Sequence, residues 1–164
     1  KYRERCENRN WRLRRKEGNM TEPIAMTIRH MKIEDYSLVY GLWTRCTGFT
    51  MRDIDDCEDA IKTFLKRNPD TCFVTEDDDG RIIGAILAGH DGRRSRIYHT
   101  AVDPDARGRG IGSMLVGRVV ETLRAIGLPK VAVGVPADND AGNDFWGRQG
   151  FAVRDDLVYR ELPL

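Results

Sequence analysis

The sequence is poor in the residues that staple small folds together. Its 164 residues include four cysteines, Cys6, Cys46, Cys57 and Cys72, none in a Cys-x-x-Cys pair, so neither a secreted disulfide framework nor a zinc site is supported. Histidines number three, no His pair stands at metal-ligand spacing, and no metal is expected. A chain of this length buries roughly 70% of its unfolded surface on folding, which is enough for a core without such staples. Nowhere do roughly 18 apolar residues run together, and residues 1–25 lack the apolar centre of a secretory signal, so neither a membrane partner nor export is expected. The cysteines then read as free thiols in a reducing cytoplasm. Charge of one sign is also lacking, since the net charge is +1. Residues 26–164 are net acidic, a poor surface for nucleic acid, although Arg9 to Lys16 forms a basic run.

The chain divides into a polar, Arg-rich extension, residues 1–25, and a single patterned domain, residues 26–164. The domain reads as mixed α/β. A strand over Met26 to Met31 precedes a helix over Glu34 to Cys46, whose Tyr36, Val39, Tyr40 and Trp43 recur at helical spacing. A second helix is expected over Asp55 to Arg67, acidic at its start, with Ile61, Phe64 and Leu65 inward. The β-rich runs Thr71 to Thr75, Arg81 to Ala88 and Arg96 to Val102 are joined by Glu76 to Gly80 and His90 to Arg94, which predicts three antiparallel strands. A helix over Gly110 to Ile126 should bury Met114, Leu115, Val119, Val120, Leu123 and Ile126, with Gly127 and Pro129 stopping it. A strand Lys130 to Val135, a helix near Asp140 to Gln149 and a strand or hairpin over Phe151 to Leu162 complete the reading.

Between a strand and this strongly amphipathic helix lies Arg107-Gly108-Arg109-Gly110-Ile111-Gly112-Ser113. Alternating glycines let main-chain amides at a helix start approach a bound group, and the helix N-terminus favours negative charge. With Arg107 and Arg109 as added donors, the run is suited to cradling a diphosphate. A nucleoside-triphosphate loop would need Gly-Lys-Ser/Thr, and no lysine is present; a dinucleotide fold would place Gly-x-Gly-x-x-Gly after the first strand of a βαβ unit, which this is not.

These residues resemble the GNAT superfamily of acetyl-CoA-dependent N-acetyltransferases, whose signature Arg/Gln-x-x-Gly-x-Gly/Ala is matched by Arg107, Gly110 and Gly112. The resemblance runs from about Met26 to Phe151 and includes Ala101-Val102-Asp103-Pro104, Asn139 and Phe145 to Phe151; Ala88 to Gly92 and Val135 to Asp140 look like its bacterial YpeA branch. It implies a mixed, mostly antiparallel central sheet with a splay between two adjacent strands, flanked by about four helices. It also implies acetyl-CoA as acyl-donor co-substrate. Ala101 and Val102 would hold the pantetheine and thioester, Arg107, Gly108, Arg109, Gly110, Ile111, Gly112 and Ser113 the diphosphate, and Asn139 and Trp146 would stand near the cofactor, with Asn139 also readable as an Asx turn or cap before the helix at Asp140.

The implied reaction is direct acetyl transfer to an amine of a small molecule, a peptide N-terminus or a lysine. Gly134 stands where some relatives carry a catalytic Glu, and Trp146 where the usual Tyr acid stands, and indole N–H is no useful acid. A catalytically silent acyl-CoA-binding or regulatory module is therefore the alternative reading. His99, in the strand near the expected thioester, is the candidate general base or water relay, with a hydrogen-bonded structural role as the other reading; strand alternation sends Tyr98 to the opposite face. His90, in the turn, reads as substrate-lining or plain surface. Trp43, Phe49, Asp53 and Asp55 are candidate acceptor contacts, although the cluster Asp53 to Asp59 reads equally as a helix N-terminus. Exposed strand edges leave a homodimer open.

Overall fold

The computed structural model describes residues 26–46 and 53–162. The extension 1–25 and the candidate acceptor residue Phe49 lie outside the described residues, as does the side chain of Asp53. Strand β1 (Thr27–His30) leads through a 3-10 turn, Ile33–Asp35, into α1 (Tyr36–Arg45). After α2 (Asp53–Asp56) and α3 (Glu58–Arg67) come β2 (Phe73–Glu76), β3 (Ile82–His90) and β4 (Ser95–Val102). A 3-10 turn, Pro104–Ala106, precedes α4 (Ile111–Ala125), followed by β5 (Val131–Val133) and α5 (Asp140–Arg148).

The sheet order is β1-β2-β3-β4-β5, antiparallel throughout except for the parallel pair β4–β5. The central strand β3, Ile-Ile-Gly-Ala-Ile-Leu-Ala-Gly-His, is buried from Ile82 to Gly89, which is why it reads as a continuous apolar run rather than an alternation. One face packs against α4, where Ile111, Leu115, Val119 and Leu123 recur every fourth residue with Phe73, Ile83, Ile86 and Ile97. The other packs against α1 and α3, where Val39, Leu42, Trp43 and Ile61 meet Val74, Ala85, Leu87 and Ala101. Two glycines of β3 set the helix distances. A Cβ on Gly84 would come within 2.7 Å of Ile111 on one face, and one on Gly89 within 2.9 Å of Phe64 on the other.

Four expectations are corrected. The helix expected over Asp55 to Arg67 breaks at Cys57, whose extended backbone (φ −68°, ψ 161°) caps α3. Ile126 is 46% exposed, because Gly127 takes a left-handed φ of 83° and the chain turns so that buried Leu128, its N–H bonded to the Leu123 carbonyl, closes the core instead. No strand forms over Phe151 to Leu162, and Val153, Leu157, Val158 and Leu162 are exposed there. Finally, Tyr98 and His99 do not alternate. Ile86 pairs with Thr100 and Ala88 with Ile97, so Tyr98 and His99 together oppose Leu87. This β-bulge turns both toward α1 and α3: Tyr98 meets Phe64 edge-on at 5.3 Å and His99 meets Trp43 at 4.7 Å between ring centroids.

Candidate active site

The bulge coincides with a parting of strands. β5 pairs with β4 only at Ser95–Val131, Arg96–Ala132 and Ile97–Val133, while β4 continues to Val102 beside β3. From Tyr98 to Val102 the β5-side edge of β4 carries no strand, and a gap opens between Val102 and the chain beyond Val133. A bulge bends and twists its strand, so the extra residue supplies the physical cause of the divergence.

On the α4 side, the gap leads to the glycine run. Gly108 and Gly110 adopt left-handed φ values of 76° and 78°, and a Cβ on either would meet nothing within 4 Å, so these two glycines serve the backbone turn and leave open space above it. Gly112 serves a different purpose: its Cβ would lie 3.1 Å from the Phe145 ring of α5. Gly110 is the N-cap of α4 and offers no side-chain cap, and the first turn holds no acidic residue. The amides of Ile111, Gly112 and Ser113 are thus left for an anion, and α4 adds its positive end. Arg107 and Arg109 are exposed alongside, with Arg107 Nε donating to the Val102 carbonyl at 3.3 Å. The cradle therefore fits a diphosphate. Ser113 Oγ accepts from Gln149.

Two expected cofactor contacts have structural work. Asn139 is the N-cap of α5, its side chain accepting from Gly142 N–H at 2.9 Å. Trp146 is 9% exposed between the rings of Phe145 and Phe151, a core position. Ala101 is buried and Val102 half-buried at the end of β4. Asp103 follows them, receiving Asp105 N–H and a 3.0 Å ion pair from Arg45 of α1. Burial pushes its carboxyl up, but these hydrogen bonds and the Arg45 charge outweigh burial and hold it below the ordinary carboxylate range. The start of the glycine run is thereby tied to α1.

On the opposite side stands a pair the sequence did not foretell. His99 Nε2 lies 2.5 Å from Asp56 Oδ1, with both side chains largely buried (16% and 7% exposed). The break at Cys57 brings Asp56 inward, and Tyr36 Oη donates to the Asp56 carbonyl at 3.0 Å. Burial raises the Tyr36 phenol above its usual pKa. Of the expected acceptor contacts, Trp43 lies against His99 and Asp55 is exposed. His90 is exposed at the end of β3, its Nδ1 accepting from Gly92 N–H.

The family model "Acetyltransferase (GNAT) family" matches residues 33–151. The chain belongs to the GNAT family. An acetyltransferase of Sodalis glossinidius is 35% identical over 133 residues, covering 81% of this chain and 92% of that protein. One of Pectobacterium atrosepticum is 40% identical over 116 residues, covering 71% and 80%. Among solved structures, Ard1 from Thermoplasma volcanium superposes with a TM-score of 0.69 at 26% identity, over 80% of this chain and 85% of that one. PaiA N-acetyltransferase from Thermoplasma acidophilum, solved with coenzyme A, shares the fold at 17% identity with a TM-score of 0.71, over 80% and 92%.

As a GNAT enzyme, the chain is an N-acetyltransferase that uses acetyl-CoA as co-substrate. Among the described residues no group of acidic, His and Cys side chains is arranged to hold a metal ion, and no helix is long and apolar enough to cross a membrane. Asp56, in contact with His99, is the candidate that the sequence alone did not mark. Its only signal was its place in an acidic cluster, most of which does serve a helix start: Glu58 and Asp59 occupy the first turn of α3.

Proposed function

We propose that the chain acetylates an amine directly, with His99 as general base and Asp56 as the residue that positions it. The observation that carries this reading is the His99–Asp56 contact on the stretch of β4 that flanks the strand gap. With Nε2–H donating to the Asp56 carboxylate, the basic lone pair of the imidazole lies on Nδ1. An amine of pKa about 10 arrives protonated and must lose a proton to become nucleophilic. His99 takes that proton, and Asp56 stabilises the imidazolium that forms.

Acetyl-CoA supplies an activated thioester carbonyl. Residues 108–113 and the N-terminus of α4 would hold its diphosphate, and the main chain at Ala101 and Val102 its pantetheine arm, leaving the reacting carbonyl at the gap. There the unpaired edge of β4 can donate N–H to the developing oxyanion. The amine nitrogen bonds to the carbonyl carbon, the carbon–sulfur bond breaks, the sulfur leaves as thiolate, and the nitrogen releases its second proton to solvent as the amide forms. Trp146 cannot protonate it; the proton held by His99 or one from solvent restores the thiol. Holding both reactants in one complex supplies much of the acceleration. A cytoplasmic setting is part of this reading, supported by the free thiols of Cys46, Cys57 and Cys72.

Acetyl-CoA incubated with a mixed library of amines and peptides, with products identified by mass spectrometry, tests the proposal. Acetylated amines that appear with wild type and fall sharply with His99→Gln support it. A pH–rate profile unchanged by His99→Gln rules His99 out as base.

A further inference from the structure

The side of the gap opposite the cradle carries a cation at the position where the resemblance leads one to look for a carboxylate. Arg96 of β4 pairs with Gly89 of β3, whose missing Cβ faces Phe64 of α3 and Asn68, the residue that caps it. Cross-strand partners share a face, so Arg96 rises on the α1–α3 face, the same face as His99 and Asp56. Its guanidinium reaches over β5 to Gly134, the first residue past the last β4–β5 pair. A Cβ on Gly134 would lie 2.8 Å from Arg96 Nη2, and Arg96 supplies every atom found within 4 Å of that point. The ring of Tyr159 stacks on the guanidinium, 5.2 Å from Cζ to the ring centre. Four arginines of this domain pair with acids, Arg29 with Asp35 and Glu76, Arg45 with Asp103, Arg81 with Asp77 and Arg154 with Asp156; Arg96 is not one of them. Among the described residues no carboxylate pairs with half-buried Arg96.

We propose that Arg96 selects an acceptor amine that also bears a carboxylate, an amino-acid-like molecule, by binding that carboxylate at the base of the β4–β5 gap. The inference rests on the transferase reading above and narrows its acceptor. A guanidinium presents a planar fork that matches a carboxylate bidentately, and one such cation balances one such charge. Tyr159 covers a face of the guanidinium and leaves its N–H edge for the ligand. Gly134 is what makes room: any side chain there would meet Arg96. A polyamine or a protein lysine would bring cationic or neutral groups to this cation and gain nothing from it.

The test uses pairs of acceptors, each a free L-amino acid and the amine left when its carboxylate is removed. Acetyl-CoA turnover on both members is followed by mass spectrometry of the N-acetyl products. Wild type is expected to favour the carboxylated member by about 10- to 100-fold in kcat/KM, the range of a charge-assisted bidentate contact. Arg96→Gln should remove the preference by losing rate on the amino acid alone, and Arg96→Lys should retain part of it. Gly134→Glu, which keeps Arg96 in the chain and sets a carboxylate against its guanidinium, should abolish the preference as well; it decides the matter if Arg96→Gln fails to fold. Equal use of both members by wild type, or an equal loss on both in the variants, overturns the inference while leaving acetyl transfer intact. If neither member, nor any other amine, is acetylated although calorimetry shows acetyl-CoA bound, the transferase reading falls and this one with it.

Discussion

The two faces of the sheet are built by different means. On the α4 face, the cradle is main chain: a turn of left-handed glycines and an uncapped helix start, contiguous in sequence from Arg107 to Ser113. On the α1–α3 face, the groups proposed to act are side chains brought together from afar. Asp56 and His99 stand 43 residues apart, and Arg96 meets the space above Gly134 and the ring of Tyr159. A main-chain site demands small residues at fixed spacing and so leaves a local signature. A side-chain site can be assembled from any elements the fold makes adjacent, so it can change with substrate while the cradle stays the same.

The largest effect that would break or sharpen this contrast is expected at Gly110. Gly110→Asp forces a side chain into a left-handed backbone and sets a carboxylate against the diphosphate, a like-charge juxtaposition costing several kcal/mol. Acetyl-CoA affinity by calorimetry should fall by at least about 100-fold, in a variant whose circular dichroism matches wild type. Next come His99→Gln and Asp56→Asn. His99→Gln should lower kcat by about 100- to 1,000-fold. Asp56→Asn should lower it by roughly 10- to 100-fold, because the imidazolium loses its partner. Acetyl-CoA affinity should hold in both, which is the separation between faces expressed as a measurement.

A smaller effect concerns the scaffold at the sheet edge. Arg29 grips Asp35 with two hydrogen bonds of 2.7 and 2.8 Å, and Lys32 N–H adds a third. Burial pushes the Asp35 carboxyl up, yet these bonds and the Arg29 charge prevail and lower it. A lowered folded-state pKa gives stability that is present above the unfolded carboxylate range, about pH 4, and is lost as pH falls through the folded value. Asp35→Asn should therefore cost about 2 kcal/mol in denaturant unfolding at pH 7, with the gap to wild type closing below about pH 4. The smallest effect is chemical. Burial pushes the Cys72 thiol up to about 12, so at neutral pH alkylation mapped by mass spectrometry should mark exposed Cys57 at least about 100-fold faster than Cys72.

Most of the fold was legible because its signals are periodic. The helical stripe of α4, the turn at Gly80 and the glycine run each follow from a local physical requirement. The failures share a cause as well. A bulge carries no composition of its own, so Tyr98 and His99 read as alternating until the β3 register showed otherwise. The break at Cys57 is invisible in a run of acids that suits a helix start, and Asp56 was lost with it. Ile126 read as core from its spacing, yet Gly127 ends the helix and Leu128 takes that place. Phe151 to Leu162 has the apolar content of a strand, and in the structure it pairs with none. Arg96 drew no notice because a charge on a strand ordinarily faces solvent; only the space over Gly134 gives it meaning.

The central claim is that the parted strands divide one site into a main-chain cradle and a side-chain acceptor face. A crystal structure of the protein with acetyl-CoA tests it most directly. The account predicts the diphosphate within hydrogen-bonding distance of amides in residues 108–113 and the thioester at the gap beyond Ile97 and Val133, on the stretch of β4 that carries His99. A cofactor seated away from the N-terminus of α4, or a thioester remote from that stretch, would contradict it.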